Sequence, residues 1–439
     1  MVLLRALPIA LLAVLTASPA VAATLREVVE KAVRSNPAVE AVLANKRATE
    51  YELRQSEGRR LPRIDVDADY GAERIDRPGG FTSDVNNRWR ARREAGITLT
   101  QVVFDGWERM NDIYRNTARV NAAALRTLAR SEIVALDAIE AYIDVRRHQG
   151  VIRLAQESLQ VHRRILARVR EQERAGKVAQ SDVTQVEERV ASTEVAIERI
   201  RQSLFEAEAK FNRVVGERPR NLQAAGYPAG VPASRREAVD AGLKRSPLVA
   251  AAGADVDVAR LAFEQTKSAR FPTVAVEVGG LTGADLAGTP GRDNEVRAQL
   301  VLRWNLFDGF ITRHRQLEFA ERLAQASAER DERARLVQEE IERALAAYYA
   351  GGLRLAPLRK QLGHSRNVVA AYETEYGLAK RSLLELLNAE NARLNTAMDL
   401  ANSEALHVFS AYRILGAMGG ILNVLGISPP ASAEVGGYR

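Results

Sequence analysis

The sequence predicts an α+β membrane protein built from two tandem structural repeats, each supplying a β-hairpin and a long helical hairpin, so that one chain carries four membrane strands. Three observations lead there. The chain aligns with itself; short runs alternate polar and apolar residues over the length a tilted strand needs to cross a bilayer; and much of the remainder is strong helix formers in heptad register.

The repeat comes first. "EVVEKAVRSNPAV" from Glu27 aligns with "EAVDAGLKRSPLV" from Glu237 at an offset of 210, which also superimposes Pro62 on Pro272. By Phe104 and Phe307 the offset has fallen to 203, and it holds there as far as Gly216 and Gly419. The expected organisation is a signal peptide (1–22), repeat 1 (23–216), a Pro- and Gly-rich linker (217–236), repeat 2 (237–426) and a flexible tail (427–439). Hairpins are expected at about 63–104 and 273–307, with helical tips near 176–182 and 377–385.

Taken in order, the chain opens with Arg5, an apolar run and the small residues Ala20 and Ala22, the pattern of a signal peptide cleaved before Ala23. The run is shorter than the roughly 20 residues of a bilayer-spanning helix. One helix is then expected over 25–59. The run "IDVDADY" from Ile64 sets Asp65, Asp67 and Asp69 on one face, and "VAVEV" from Val274 sets Glu277 there. From Val296 to Leu306 the even positions are apolar and the odd ones polar or variable. A carboxylate-lined face opposite an aliphatic one suits a barrel with water inside and lipid outside, the alternative being an amphipathic sheet packed on a soluble core. The variable segments 71–93 and 279–295 read as exposed loops.

A Phe-Asp-Gly turn follows the second strand of each repeat, at Asp105 and Gly106 and again at Asp308 and Gly309. Asp105, with Glu108 three residues on, reads as a capping box for the helix that follows, a structural rather than a catalytic role. That helix, 107–174, contains no proline and would be about 100 Å long. Val145, Ile152, Leu159 and Leu166 recur every seven residues, as do His148, Ala155, His162 and Val169, which defines a coiled-coil seam with the histidines as packing residues.

Several classes are excluded. There is no cysteine, hence no disulfide or thiolate chemistry. The five histidines are scattered, and no HExxH, G-x-S-x-G or phosphate-binding glycine loop is present, so neither an enzyme nor a metal or other cofactor is expected. Lys and Arg number 63 against 56 Asp and Glu, but the signs interleave along helices; that is a solvated surface, not a nucleic-acid patch. Open sheet edges are not tolerated in lipid and closed single-chain barrels start at eight strands, so four strands per chain imply a dimer of eight or a trimer of twelve.

These features together resemble the TolC family of outer-membrane efflux proteins over nearly all of the mature chain. The resemblance rests on "RSNPAV" and "KRSPLV", "RRLPRIDVDADYG" and "ARFPTVAVEVGG", the two Phe-Asp-Gly turns, and "AGKVAQSDV" and "AKRSLLELLNAE" at the tips. It implies a homotrimer with a 12-stranded β-barrel in outer-membrane lipid and a periplasmic α-helical coiled-coil tunnel. The tunnel would open when a periplasmic adaptor protein and an inner-membrane ABC transporter or proton-driven pump dock. It also implies a gate in which Tyr376 and Arg381 start polar links whose acceptors are Ser181 and Asp182, and an entrance constriction at Glu385 and Asn388, where well-studied members carry two Asp. The Phe-Asp-Gly turn after the second strand resembles members serving type I protein secretion; multidrug efflux is the alternative, and a soluble periplasmic coiled-coil scaffold a third.

Overall fold

The computed structural model describes residues 22–76, 87–288 and 290–430. The expected signal segment up to residue 21, most of the first variable segment (77–86) and the tail from 431 lie outside the described residues. In chain order the elements are helices α1 (Leu25–Ser35) and α2 (Pro37–Gly58), strands β1 (Arg63–Arg74) and β2 (Trp89–Phe104), and helices α3 (Glu108–Arg174), α4 (Gln180–Val215), α5 (Arg235–Arg245) and α6 (Pro247–Thr266). The second half continues with strands β3 (Thr273–Ala284) and β4 (Arg292–Arg303) and helices α7 (Ile311–Gly377), α8 (Leu383–Ala417) and the short α9 (Ile421–Val424). Among the described residues no helix is long and apolar enough to cross a membrane.

Two compact units result, and each draws on both repeats. Among the described residues one comprises 22–32, 138–227 and 354–408; the other comprises 33–76, 87–137, 228–288, 290–353 and 409–430.

The second unit holds the sheet, an antiparallel meander in the order β1-β2-β3-β4. Its strands run further than the composition suggested. Pairing continues to Glu73↔Arg90 and Arg74↔Trp89 in the first hairpin and to Ala284↔Arg292 in the second, which shortens both expected loops. Polar and glycine residues there read as loop because one whole face of the sheet is polar. At its other end β4 stops at Arg303, so Trp304 and Leu306 lie beyond the strand, and the Trp304 indole N–H donates to the Arg270 carbonyl at 3.3 Å.

The helix expected over 25–59 is broken in two. Pro37 cannot donate a backbone hydrogen bond and restricts the residue before it, while the Asn36 side chain accepts from the Ala38 N–H at 2.9 Å and starts α2 afresh. Repeat 2 breaks at the matching Ser246–Pro247 step between α5 and α6. In this unit α2 lies against the first part of α3 through Asn116 to Ser56, Arg119 to Glu52 and Arg59 to Asp112. A separate apolar core joins Ala238 of α5, Val337, Ile341, Ala344 and Leu345 of α7, and Ile414 and Met418 near the end of α8.

The chain after α8 is anchored from α3. Glu132 is 5% exposed, and its two carboxylate oxygens accept the backbone N–H groups of Ile421 and Leu422 at 3.0 and 3.3 Å. Ile427 is buried as well, so order persists past Gly426, where the flexible tail was expected to begin. Burial pushes the Glu132 carboxyl up to about 7, with the two N–H bonds opposing the shift. A carboxyl raised by folding binds its proton more tightly in the native state, so its contribution to stability is full below the ordinary carboxylate range and is lost as pH rises through 7. Thermal denaturation of the full chain should therefore show stability falling between pH 5 and pH 8 by up to about 3 kcal/mol. Glu132→Gln should remove most of that slope.

Candidate functional site

The two Phe-Asp-Gly turns convert strand to helix by the same device. Gly106 and Trp107 have φ of 64° and 68°, and Gly309 and Phe310 have 67° and 69°. Two successive left-handed residues make a turn of type I′ geometry, closed by the Glu108 N–H on the Asp105 carbonyl and the Ile311 N–H on the Asp308 carbonyl. The Asp carboxylate then reaches four residues on, not to a capping-box partner at the third. Asp105 accepts the Arg109 N–H and side chain, and Asp308 accepts the Thr312 N–H at 2.8 Å and its hydroxyl at 2.5 Å. These Thr312 bonds hold the Asp308 carboxyl below its ordinary range. The extra left-handed residue shifts the helix start by one position, which is why the expected Asp105–Glu108 box does not form.

Aromatic rings brace both turns edge to face. Phe104 and Trp107 are 5.4 Å apart, Trp107 and Phe271 5.4 Å, and Phe307 and Phe310 5.7 Å. The glycines differ in one respect: a Cβ on Gly106 would sit 2.7 Å from Phe271 Cβ and from the Ser268 carbonyl oxygen, whereas one on Gly309 meets open space.

The sheet gathers its aliphatic side chains on one face and its carboxylates on the other. One face carries Ile64, Val66, Ile97, Val278, Val296, Leu300 and Leu302, and Val66, Val296 and Leu300 are 73, 89 and 70% exposed. Aliphatic residues this exposed on one contiguous face await an apolar solvent or partner. The other face carries Asp65, Asp67, Asp69, Glu94, Glu277 and Glu295, with arginines paired among them: Arg92 to Asp69 and Glu94, and Arg303 to Glu277.

In the other unit the helical tips turn by matching hydrogen bonds. Lys177 N–H reaches the Gln172 carbonyl and Gly176 N–H that of Glu173; Lys380 N–H reaches Glu375 and Ala379 N–H reaches Tyr376. Both are Schellman turns, with Gly176 at φ 68° and Ala379 at φ 56° in the left-handed position. Ile165, Val169, Val183, Val186, Tyr376, Leu383, Leu386 and Leu387 form the core beneath them.

Within the chain the expected gate residues make the following contacts. The Tyr376 hydroxyl donates to Gln172 Oε1 of α3 at 2.9 Å. Burial, and then the nearby Asp182 charge, raise the Tyr376 hydroxyl above its usual range. Arg381 pairs with Glu375 and with Glu385, each at 2.9 Å, and stacks 4.3 Å over the Tyr372 ring. Among the described residues Asp182 forms no ion pair within the chain; it is half-buried, and Ser181 is exposed. Glu385 does belong to a capping box, in which the Ser382 N–H and hydroxyl donate to its carboxylate and its own N–H donates back to Ser382 Oγ. The Ser382 and Arg381 bonds lower the Glu385 carboxyl to about 2. Asn388 is exposed one turn further along α8.

A buried polar group lies deeper in the same bundle. Glu390 is fully buried, bonded by Ser158 Oγ at 3.0 Å and by both Nε and Nη2 of Arg393 at 2.8 and 2.6 Å. His162 bonds Thr193 Oγ1 at 3.0 Å, and burial lowers its imidazole toward the neutral form. His148 is half-buried and bonds the Asp144 carbonyl at 2.9 Å. The two expected heptad columns omitted a third, from which Ser158, Ile165 and Gln172 meet α7 or α8 alongside Val169 of an expected column.

This combination defines a channel-type outer-membrane protein, and the comparisons agree. The profile of outer membrane efflux proteins matches residues 28–217 and 238–420, and the chain belongs to that family. The outer membrane efflux protein BepC of Brucella suis biovar 1 is 24% identical over 414 residues, covering 92% of this chain and 87% of BepC. Among solved structures, a membrane protein from Pseudomonas aeruginosa superposes with a TM-score of 0.80 at 16% identity, covering 90% of each chain. CusC, studied for folding and transmembrane channel formation, gives 0.78 at 15%, covering 91% of this chain and 93% of CusC. The family and the fold are those of channel proteins, not enzymes, and the resemblance drawn from the sequence motifs holds.

The two turns make a quantitative distinction. Gly309→Ala should cost about 1 kcal/mol for its left-handed φ, whereas Gly106→Ala should cost about 2 kcal/mol or more because the new methyl also meets Phe271 and Ser268. Apparent melting midpoints of the two variants, compared in one detergent, should rank in that order.

Proposed function

We propose that three copies of this chain form the passive outer-membrane exit duct of a tripartite export assembly, working with a periplasmic adaptor and an energised inner-membrane transporter. The observation that carries this reading is the sheet: its apolar face is exposed and, among the described residues, its edge strands β1 and β4 have no strand partner on their outer sides. Closure between copies satisfies those edges. Eight strands enclose a lumen that side chains fill, and the charged inner face here suits the wider, water-filled bore of twelve. Family membership and the neighbours' fold support the same assembly.

Export to the outer membrane requires a leader, which we assign to residues 1–22 with cleavage before Ala23. On either side of that bond the Ala22 carbonyl accepts Gln223 Nε2 at 3.0 Å and the Ala23 carbonyl accepts the Tyr142 hydroxyl at 3.0 Å and the Gln223 N–H at 3.2 Å. The cargo we assign is small molecules, because efflux is the activity named for the family and for BepC. Type I protein secretion is the second reading. It rests on the Phe-Asp-Gly turn after the second strand, where Asp105 and Asp308 both bond the starts of the helices that follow, a structural role that does not depend on cargo. Deleting the gene should lower the inhibitory concentrations of several toxic compounds while leaving the secreted proteins unchanged; loss of one secreted protein with unchanged resistance would favour secretion instead.

The tip acts as the gate in this reading. Tyr376 to Gln172 ties α7 to α3, the Arg381–Glu375–Glu385 group stiffens the α7–α8 turn, and we assign Ser181 and Asp182 as the acceptors of a neighbouring copy's Arg381. Each Glu385 charge is offset by Arg381, so the entrance ring formed with Asn388 would hold cations weakly. In planar bilayers Arg381→Ser and Asp182→Ala should each raise single-channel conductance. Unchanged conductance in both would remove the gate assignment.

A further inference from the structure

We infer that the outward face of the sheet carries a binding site for a phosphate-bearing lipid headgroup of the outer leaflet, formed by Arg93 of β2 and Arg292 of β4. This rests on the outer-membrane duct reading. The strand register places Tyr70, Arg93, Ala284 and Arg292 in one row across all four strands. By strict alternation that row shares its face with Val66, Ile97 and Val296, the lipid side.

Three features separate these two arginines from the others in the sheet. First, every carboxylate of the four strands lies on the opposite face, so the outward face holds cations and no anion. Second, the inward arginines 63, 90, 92, 297 and 303 each lie within 4 Å of a carboxylate oxygen and the outward Arg74 donates to Asn87, whereas the Arg93 and Arg292 side chains are exposed and make no hydrogen bond or ion pair among the described residues. Third, their height is that of a headgroup. The ten residues from Leu302 to Arg292, at roughly 3.4 Å each on a strand tilted about 40°, rise about 26 Å, close to the height of the apolar band of such barrels. The helices join the sheet at the Leu302 end, so the arginines lie at the hairpin end, which faces the outer leaflet.

At that level a guanidinium costs little to place, and its planar fork matches phosphate oxygens. Arg93 and Arg292 are two strand spacings apart, about 10 Å, so one headgroup bearing two phosphates, or two neighbouring ones, can bridge them. Tyr70 in the same row and Trp89 nearer the loops supply interfacial rings beside them, 79 and 69% exposed. Next below, Thr282 donates to Asn294 at 2.8 Å, so this outward polar pair is satisfied internally and leaves the arginines as the unmatched groups.

The test uses the full-length protein in a mild detergent and native mass spectrometry. Three probes are added separately: lipid A with both phosphates, the same glycolipid with its phosphates removed, and inorganic phosphate. Wild-type protein should retain bisphosphorylated lipid A and neither of the others. The Arg93→Ala/Arg292→Ala double variant should bind it about thirtyfold more weakly, the effect of two basic side chains at a charged membrane surface. The inward variant Arg297→Ala should bind as wild type, and Arg93→Lys/Arg292→Lys should keep most of the affinity, which excludes misfolding as the cause. Equal retention by the double variant, equal retention of the phosphate-free glycolipid, or displacement by inorganic phosphate at matched concentration would each overturn the inference. Failure of the duct reading would look different: the protein would need no detergent and would form no pore.

Discussion

A sheet edge inside a bilayer leaves backbone N–H and C=O groups with no water to meet them, at several kcal/mol each. Strands β1 and β4 are each 12 residues long and outermost in the sheet, and an edge of that length presents roughly a dozen such groups, a cost of tens of kcal/mol. No side-chain arrangement in one chain offsets that. Copies must therefore pool strands, and the sorting of aliphatic residues to one face and carboxylates to the other specifies which side meets lipid and which meets water. The Phe-Asp-Gly turns belong to the same requirement, since they end a strand and start a helix within a few residues while the Asp carboxylates satisfy N–H groups at the new helix starts.

In the helical unit the governing economy is polar, not apolar. Glu390 is buried with a bidentate arginine and a serine, His162 with a threonine, and Tyr376 spans to Gln172. Buried pairs of this kind add little net stability over apolar packing, but breaking one partner costs several kcal/mol. They therefore hold the helices in one register and make sliding expensive. A gate that moves needs its polar links at the moving end, where Arg381 and Glu385 are part-exposed and more cheaply released.

Much of this was legible in the sequence because the signals were periodic. The offset of 203 pairs Asp105 with Asp308, and alternation assigns the faces of β1, β3 and β4, though not of β2. Three things were not legible. The break at Asn36 and Pro37 sat inside a continuous apolar pattern, although the same Pro in both repeats pointed to it. The glycine-rich strand ends looked like loops, because a strand with a polar face resembles one by composition. Gln172 and Ser158 were passed over because a seam of two columns assumes one partner helix, and α3 packs against more than one; a polar residue at a third heptad position was the available signal. The partners of Arg381 could not be read at all, since Glu375, Glu385 and Tyr372 all lie within ten residues of it and the choice among them depends on how the Schellman turn aims the side chain.

Subunit number tests the central claim most directly. Mass measurement of the intact, unheated assembly extracted from outer membranes, corrected for bound detergent, should give three times the mass of one mature chain. A single chain that stays folded and soluble in plain buffer, with β1 and β4 protected from amide exchange by no neighbour, would contradict it.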